Sequence, residues 1–144
     1  MKLRMMSAIV TVAGFLFTTN SYAQQIDFQI KGINDSNGKL YVQLFKGEDN
    51  YQQGKAAAAT IVPATGEMAT VTFQNIEPGE YALRFFHDEN DNGEMETNLF
   101  GMPSEGYGFS NNAKPNFGPV SYDEIKFSVA ESEAVTTNTT YVIY

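Results

Sequence analysis

Apolar and polar residues alternate with a period of two along most of the chain beyond residue 24. Successive side chains of a β-strand point to opposite faces, so this pattern predicts strands with one buried face. The clearest apolar sets are Ile26/Phe28/Ile30, Leu40/Val42/Leu44, Ala69/Val71/Phe73, Tyr81/Leu83/Phe85, Ile125/Phe127/Val129 and the closing stretch from Thr140 to Tyr144. With a shorter strand near Thr60 to Val62, the pattern predicts about seven strands. An all-β, antiparallel β-sandwich of immunoglobulin-like or transthyretin-like architecture is the expected fold.

Two segments between these strands carry their own signals. Asn37-Gly38 predicts a tight hairpin turn between the first two strands. The stretch from Asp88 to Val120 fits no strand, and a loop of that length in a small domain is usually functional or disordered. Its aromatic residues favour an ordered loop that presents Phe100, Tyr107 and Phe109 to a partner. The alternative is that these rings fold back as a satellite core.

The N-terminus has the order of a secretory signal. Lys2 and Arg4 precede an apolar run from Met5 to Phe17, and Ser21 and Ala23 are the small residues that a signal peptidase reads. The apolar run is shorter than the roughly 20 residues of a membrane-spanning helix. The sequence therefore predicts cleavage after Ala23, a periplasmic or secreted protein, one domain over residues 24–144, and no transmembrane segment in the mature chain.

Composition narrows the function classes. Removal of Lys2 and Arg4 with the signal takes the formal net charge from −8 to −10, which disfavours nucleic acid and anionic lipid as partners. The chain has no cysteine, so thiol catalysis, cysteine-based zinc sites and disulfides are excluded. Stability then depends on packing and on any bound ion.

The sharpest chemical signal is the run from His87 to Asn98. Its oxygen-bearing side chains are spaced as in a calcium loop, with a glycine that permits the tight reversal: Asp88, Asn90, Asn92, then Gly93, then Glu94 and Glu96. An EF-hand has Glu at position 12 and a flanking helix on each side, whereas this chain has Leu99 and a predicted strand. A non-EF-hand calcium site is therefore predicted, with the Glu94 carbonyl and Glu96 as further ligands. The alternative is an acidic loop whose Asx turns cap its own backbone and bind nothing.

Catalytic signals are weak. His87 is the only histidine, and its place at a strand end favours a partly buried side chain hydrogen-bonded to a loop carboxylate over a metal ligand. Neither Ser104 nor Ser110 lies in a nucleophile motif. Paired carboxylates for glycoside hydrolysis could come from Glu89, Glu94, Glu96 and Glu105.

Three motifs together resemble a known family. They are Ile76-Glu77-Pro78-Gly79-Glu80-Tyr81, the acidic run from His87 to Gly93, and the glycine-aromatic stretch from Phe100 to Ala113. This combination is similar to the exported bacterial family catalogued as domain of unknown function 2141. The resemblance extends over nearly all of the mature chain and implies an exported bacterial β-sandwich without an established activity.

The sequence favours a non-enzymatic, calcium-stabilised binding module whose partner is a glycan, a peptide or another protein. Two alternatives remain open at this point. One is a metal-assisted hydrolase that uses the loop carboxylates, and the other is a purely structural accessory domain of the cell envelope.

Overall fold

A computed structural model describes residues 23–34 and 36–144. The predicted signal, residues 1–23, lies outside the described residues except for Ala23. Eight strands and two short α-helices follow one another, with a 3-10 helix at Ser110–Asn112: β1 Gln24–Lys31, β2 Lys39–Lys46, α1 Glu48–Gln52, β3 Ala58–Pro63, β4 Met68–Ile76, β5 Gly79–Asp88, β6 Tyr107–Phe109, α2 Tyr122–Ile125, β7 Phe127–Val129 and β8 Val135–Tyr141. Within the described ranges, no helix has the length and apolar character needed to cross a bilayer.

The strands form two sheets, and the prediction of a β-sandwich is confirmed. One sheet has the order β4-β1-β8, and the other has the order β3-β2-β5-β6, with β7 also paired to β5. Strand pairs are antiparallel except for β1 and β8, which run parallel. The strand beyond the predicted seven is β6, which lies inside the segment predicted as a long loop.

The core lies between the two sheets. Ile26, Phe28 and Ile30 of β1 are buried in the same cluster as Leu40, Val42 and Leu44 of β2. Phe28 also meets Phe85 of β5 edge-on, with ring centroids 6.0 Å apart. Burying an aliphatic or phenyl side chain of this size contributes about 1.5–3 kcal/mol to the free energy of unfolding. Exposing the apolar face of any one strand would therefore cost several such contributions.

The predicted β1–β2 hairpin is wrong. The two strands belong to different sheets, because their apolar faces bury each other rather than sharing one side of a single sheet. Gly38 serves a different purpose there. Its φ is +76°, and a Cβ built on it would lie 1.8 Å from the backbone oxygen of Asp88. The glycine is needed for the close passage of the chain over the end of β5.

The outward face of the five-stranded sheet is half covered. Ala82, Tyr122 and Ile125 form a second buried cluster, against which Tyr51 of α1 and Phe109 pack. On this face α2 begins with a capping box, which Ser121 and Glu124 form at its N-terminus. The part of this face that the helices do not cover forms a groove.

Candidate ligand groove and acidic loop

Strand register places four apolar side chains in a row across the outward face. Tyr41 of β2 pairs with Ile61 of β3 on one side and with Phe86 of β5 on the other. Phe86 in turn pairs with Tyr107 of β6. Directly opposite residues project from the same face, so Ile61, Tyr41, Phe86 and Tyr107 form a continuous row across four strands.

The rings in this row are ordered against one another. Tyr41 and Phe86 are stacked, with centroids 4.8 Å apart and an interplanar angle of 9°. Tyr107 meets Phe109 edge-on at 6.1 Å. Aromatic pairs in such arrangements contribute about 0.5–1.5 kcal/mol beyond their buried area, so the rings hold a fixed surface on which a ligand can stack.

The next row toward α1 is centred on Arg84. Its Nε donates a hydrogen bond of 2.8 Å to Oε1 of Gln43, the residue opposite it on β2. Its Cζ lies 4.8 Å from the centroid of the Phe45 ring and 5.8 Å from that of Tyr51. Burial raises the pKa of the Tyr51 phenol, and the nearby positive charge of Arg84 acts in the opposite direction.

Together the two rows line a groove of about 590 Å³, with Tyr51 and Met95 among its walls. Volumes of about 300–1,000 Å³ are typical of small-molecule sites. Met95 belongs to the acidic loop, so that loop forms part of the groove wall. No Asp or Glu is among the lining residues found in the described part of the chain, although acidic residues outnumber basic ones 17 to 9 in the whole sequence.

The acidic loop is organised around the buried carboxylate of Asp88. Its Oδ1 accepts a hydrogen bond from the backbone N–H of Asn92 at 3.0 Å, and its Oδ2 accepts one from Gly93 at 2.8 Å. The Asn90 side chain accepts a second bond from the same Asn92 N–H at 3.0 Å. Asn92 donates from Nδ2 to Glu96 Oε1 at 2.9 Å. Four of the five predicted calcium ligands are therefore brought together: Asp88, Asn90, Asn92 and Glu96.

The fifth predicted ligand, Glu94, is exposed like Asn90, Asn92 and Glu96, and its N–H donates to Oδ1 of Asn92 at 2.9 Å. Within the described residues, no three His, Asp or Glu side chains gather closely enough to hold a metal ion. A calcium ion in this loop would therefore need amide and backbone oxygens as well as carboxylates, as the predicted ligand set supposes.

Glu105, one of the carboxylates considered for hydrolysis, has a structural role that was not predicted from the sequence. It is buried, and its two carboxylate oxygens accept hydrogen bonds from the N–H groups of Glu89 at 3.1 Å and Glu96 at 3.2 Å. Glu105 follows the turn formed by residues 97–104, and its two hydrogen bonds connect the two ends of the acidic loop. No local pattern marks it, because its partners lie 16 and 9 residues away.

Comparison with protein families matches residues 28–137 to the family described as "Uncharacterized protein conserved in bacteria (DUF2141)". The chain belongs to this family. The match includes both the groove and the acidic loop of this DUF2141 chain. Neither the curated proteins nor the solved structures gave a significant match.

The catalytic candidates of this DUF2141 chain are engaged in structural contacts. His87 is buried, with Nε2 2.7 Å from the Asn37 carbonyl oxygen and Nδ1 3.2 Å from the Tyr144 hydroxyl. The Glu89 carboxylate is 4.0 Å from Nδ1, so the carboxylate hydrogen bond predicted for His87 is replaced by these two partners. Ser110 is buried and bonds to backbone atoms of β5 and of Ile125.

The three predicted partner-binding residues are not all in one place. Tyr107 and Phe109 line the groove, whereas Phe100 lies in the turn before β6 and is 89% exposed. The N–H groups of Phe100 and Met102 both bond to Oδ1 of Asn98, which orders that turn. Phe100 is not among the residues lining the groove.

Tyr41, Gln43, Arg84 and Phe86 were not predicted as site residues. The available signal was that aromatic and long polar side chains occupy the outward positions of β2 and β5.

Proposed function

We propose that this protein is a non-enzymatic binding module whose ligand site is the aromatic groove on the outward face of the five-stranded sheet. The observation that carries the proposal is the cross-strand row Ile61-Tyr41-Phe86-Tyr107 with its stacked central pair. Of the glycan, peptide and protein partners suggested by the sequence, the groove favours a ring-shaped ligand such as a sugar unit. Flat rings stack on aromatic faces, and the cavity has the volume of a small-molecule site.

The experiment is a titration of isotopically labelled residues 24–144 with ring compounds at millimolar concentration, followed through backbone amide shifts. Both neutral methyl glycosides and naphthalene derivatives are included. Shifts should concentrate at Tyr41, Arg84 and Tyr107. Tyr41→Ala should weaken binding by about tenfold, because one stacking surface is worth about 1–3 kcal/mol.

Phe117→Ala is the matched control, since Phe117 is fully exposed and is not among the groove residues. It should bind as tightly as the parent chain. Circular dichroism on both variants separates lost binding from lost folding. A panel in which no ring compound moves the groove resonances, or in which Tyr41→Ala binds normally, would remove the groove as the ligand site.

We also propose that the acidic loop binds calcium and thereby stabilises the groove wall. Support comes from the ligand spacing in the sequence and from the convergence of Asp88, Asn90, Asn92 and Glu96 in one turn. Met95, which lines the groove, lies between two residues of this loop. An ion would also relieve the repulsion among the loop carboxylates.

Thermal melts with a chelator and with millimolar calcium test this second proposal. Calcium at about 100 times its Kd should stabilise the chain by about 2.7 kcal/mol. Asn90→Ala should abolish most of that gain, because it removes an exposed ligand without disturbing the buried Asp88. Asp49→Ala, an acidic loss outside the loop, should retain the gain. An unchanged midpoint for the parent chain means that the loop is a self-capped Asx turn.

Export stays part of the proposed function. Its support is the signal-like N-terminus and the start of β1 at Gln24, the residue after the predicted cleavage. N-terminal sequencing of protein recovered from the periplasm or medium should begin at Gln24. An uncleaved N-terminus would contradict it.

A further inference from the structure

We infer that the groove recognises a small ring-shaped carboxylate, with the Arg84 guanidinium as its counter-ion. This inference rests on the proposed function, because it names the chemical class of ligand for the same groove. Three features of the described residues carry it: the way Arg84 is held, its lack of a carboxylate partner, and the absence of acidic groups around it.

Arg84 is held in place before any ligand arrives. The 2.8 Å bond from Nε to Gln43 uses one edge of the guanidinium, and the rings of Phe45 and Tyr51 lie 4.8 and 5.8 Å from Cζ. A guanidinium carries five N–H donors, so the terminal nitrogens retain donors for a ligand after the Gln43 bond forms. A fixed planar fork of this kind suits two parallel hydrogen bonds to one carboxylate.

Among the described residues, Lys31, Lys55 and Lys114 share with Arg84 the lack of a carboxylate partner, but of these four cations only Arg84 lies against aromatic rings. Lys39, Lys46 and Lys126 each lie 2.6 Å from a carboxylate oxygen of Asp91, Glu77 and Asp123, respectively. For Arg84, no carboxylate within residues 23–34 and 36–144 comes within ion-pair distance. In a protein with 17 acidic residues, a partly buried cation among rings without such a partner points to an anion supplied from outside.

The ligand's charge and shape follow from the same geometry. A carboxylate carries one charge and matches one guanidinium, whereas a phosphate monoester carries about −1.5 to −2 and would leave excess negative charge in an already acidic protein. Beyond Arg84, the row that contains the stacked Tyr41 and Phe86 rings offers an apolar face. A ligand with a carboxylate on a flat ring would therefore satisfy both rows at once.

Two ligand pairs test this inference and distinguish its sources. 2-Naphthoate is compared with neutral 2-naphthamide, and methyl glucuronide is compared with neutral methyl glucoside. In at least one pair the anion should bind about tenfold more tightly, which is the discrimination expected of a charge-assisted pair. The pair that shows it identifies an aromatic acid or an acidic sugar as the source.

Arg84→Gln should erase that preference, so that the anionic and the neutral member of the pair bind the variant with equal affinity. Lys31→Gln, which removes the same charge from the three-stranded sheet, should keep the preference. Because Arg84 also packs on two rings, the folding of each variant is checked by its urea midpoint, and Arg84→Lys provides a second variant. Lysine restores the charge without the planar fork and should recover only part of the preference.

The outcomes separate the two proposals. If neutral and anionic members bind equally in both pairs, or if Arg84→Gln leaves the preference intact, the carboxylate inference is overturned and the groove remains a ring-binding site. If no compound of either charge perturbs the groove, both proposals fail.

Discussion

Replacing Gly38 with alanine tests the close passage of the chain over the end of β5. Gly38 has φ +76°, and its added Cβ would lie 1.8 Å from the Asp88 backbone oxygen and 3.0 Å from the Glu89 Cα. Gly66 has almost the same φ, +75°, but nothing lies within 4 Å of its added Cβ. The two variants therefore share the backbone strain and differ only in crowding.

The expected magnitudes follow from these two terms. An alanine in the left-handed region costs about 1–2 kcal/mol, which is the whole expected loss for Gly66→Ala. Overpacking adds about 1–3 kcal/mol at Gly38, because the obstacle is backbone that is paired into the sheet through Lys39 and Asp88. Gly38→Ala should thus lose about 2–5 kcal/mol, a large share of the roughly 5–15 kcal/mol that stabilises a small domain.

Urea unfolding of residues 24–144 measures both losses, with the slope checked for constancy. Asparagine provides a second comparison, since it adopts the left-handed region more readily than alanine. Gly66→Asn should recover most of the stability lost in Gly66→Ala, whereas Gly38→Asn should recover little. Equal losses for Gly38→Ala and Gly66→Ala would refute the crowding at Asp88.

Two further predictions concern the elements around the groove. Gly108→Ala places a Cβ 2.5 Å from the Phe85 ring. Urea unfolding should therefore show a loss of about 1–3 kcal/mol in stability, and the ligand titration should show weaker ring binding. Gly118→Ala is the control and should be unchanged in both assays, because its added Cβ meets nothing within 4 Å. An unaffected Gly108→Ala variant would mean that β6 does not pack as closely as described. Hydrogen bonds from the Ser121 backbone N–H and hydroxyl lower the pKa of Glu124. A carboxylate whose pKa is lowered by folding stabilises the folded state at pH values above its unfolded pKa. The parent chain should therefore be more stable than Glu124→Gln at neutral pH, and this difference should be lost as the pH falls through the pKa of Glu124 in the folded state. An advantage that is constant from neutral to acid pH would contradict the capping role.

Much of the fold could be predicted from local pattern. The alternation at Ile26/Phe28/Ile30 and Leu40/Val42/Leu44 places these side chains on buried faces, and the structure confirms it. Side-chain alternation depends only on strand geometry, so it is readable residue by residue. The capped turn at Ser121 is predictable for the same reason, because the capping box spans only four residues.

The partners of each strand could not be predicted in this way. The Asn37-Gly38 pair suits a hairpin turn, but burial of β1 against β2 places the two strands in opposite sheets. The parallel pairing of β1 with β8 joins residues more than 100 positions apart, such as Phe28 and Asn138. No short-range signal encodes such a pairing.

The two parts of the candidate site, the acidic loop and the groove, differ in the same way in how far they can be predicted from the sequence. The acidic loop is encoded locally, because Asp88, Asn90 and Asn92 are spaced within five residues and converge through one turn. The groove depends on long-range strand pairing, because Tyr41, Phe86 and Tyr107 come from three strands and meet through register alone. A one-residue shift in the pairing of β2 with β5 would turn one strand's side chains to the other face. The groove is therefore a property of the sheet's hydrogen bonding and core packing, which fix that register.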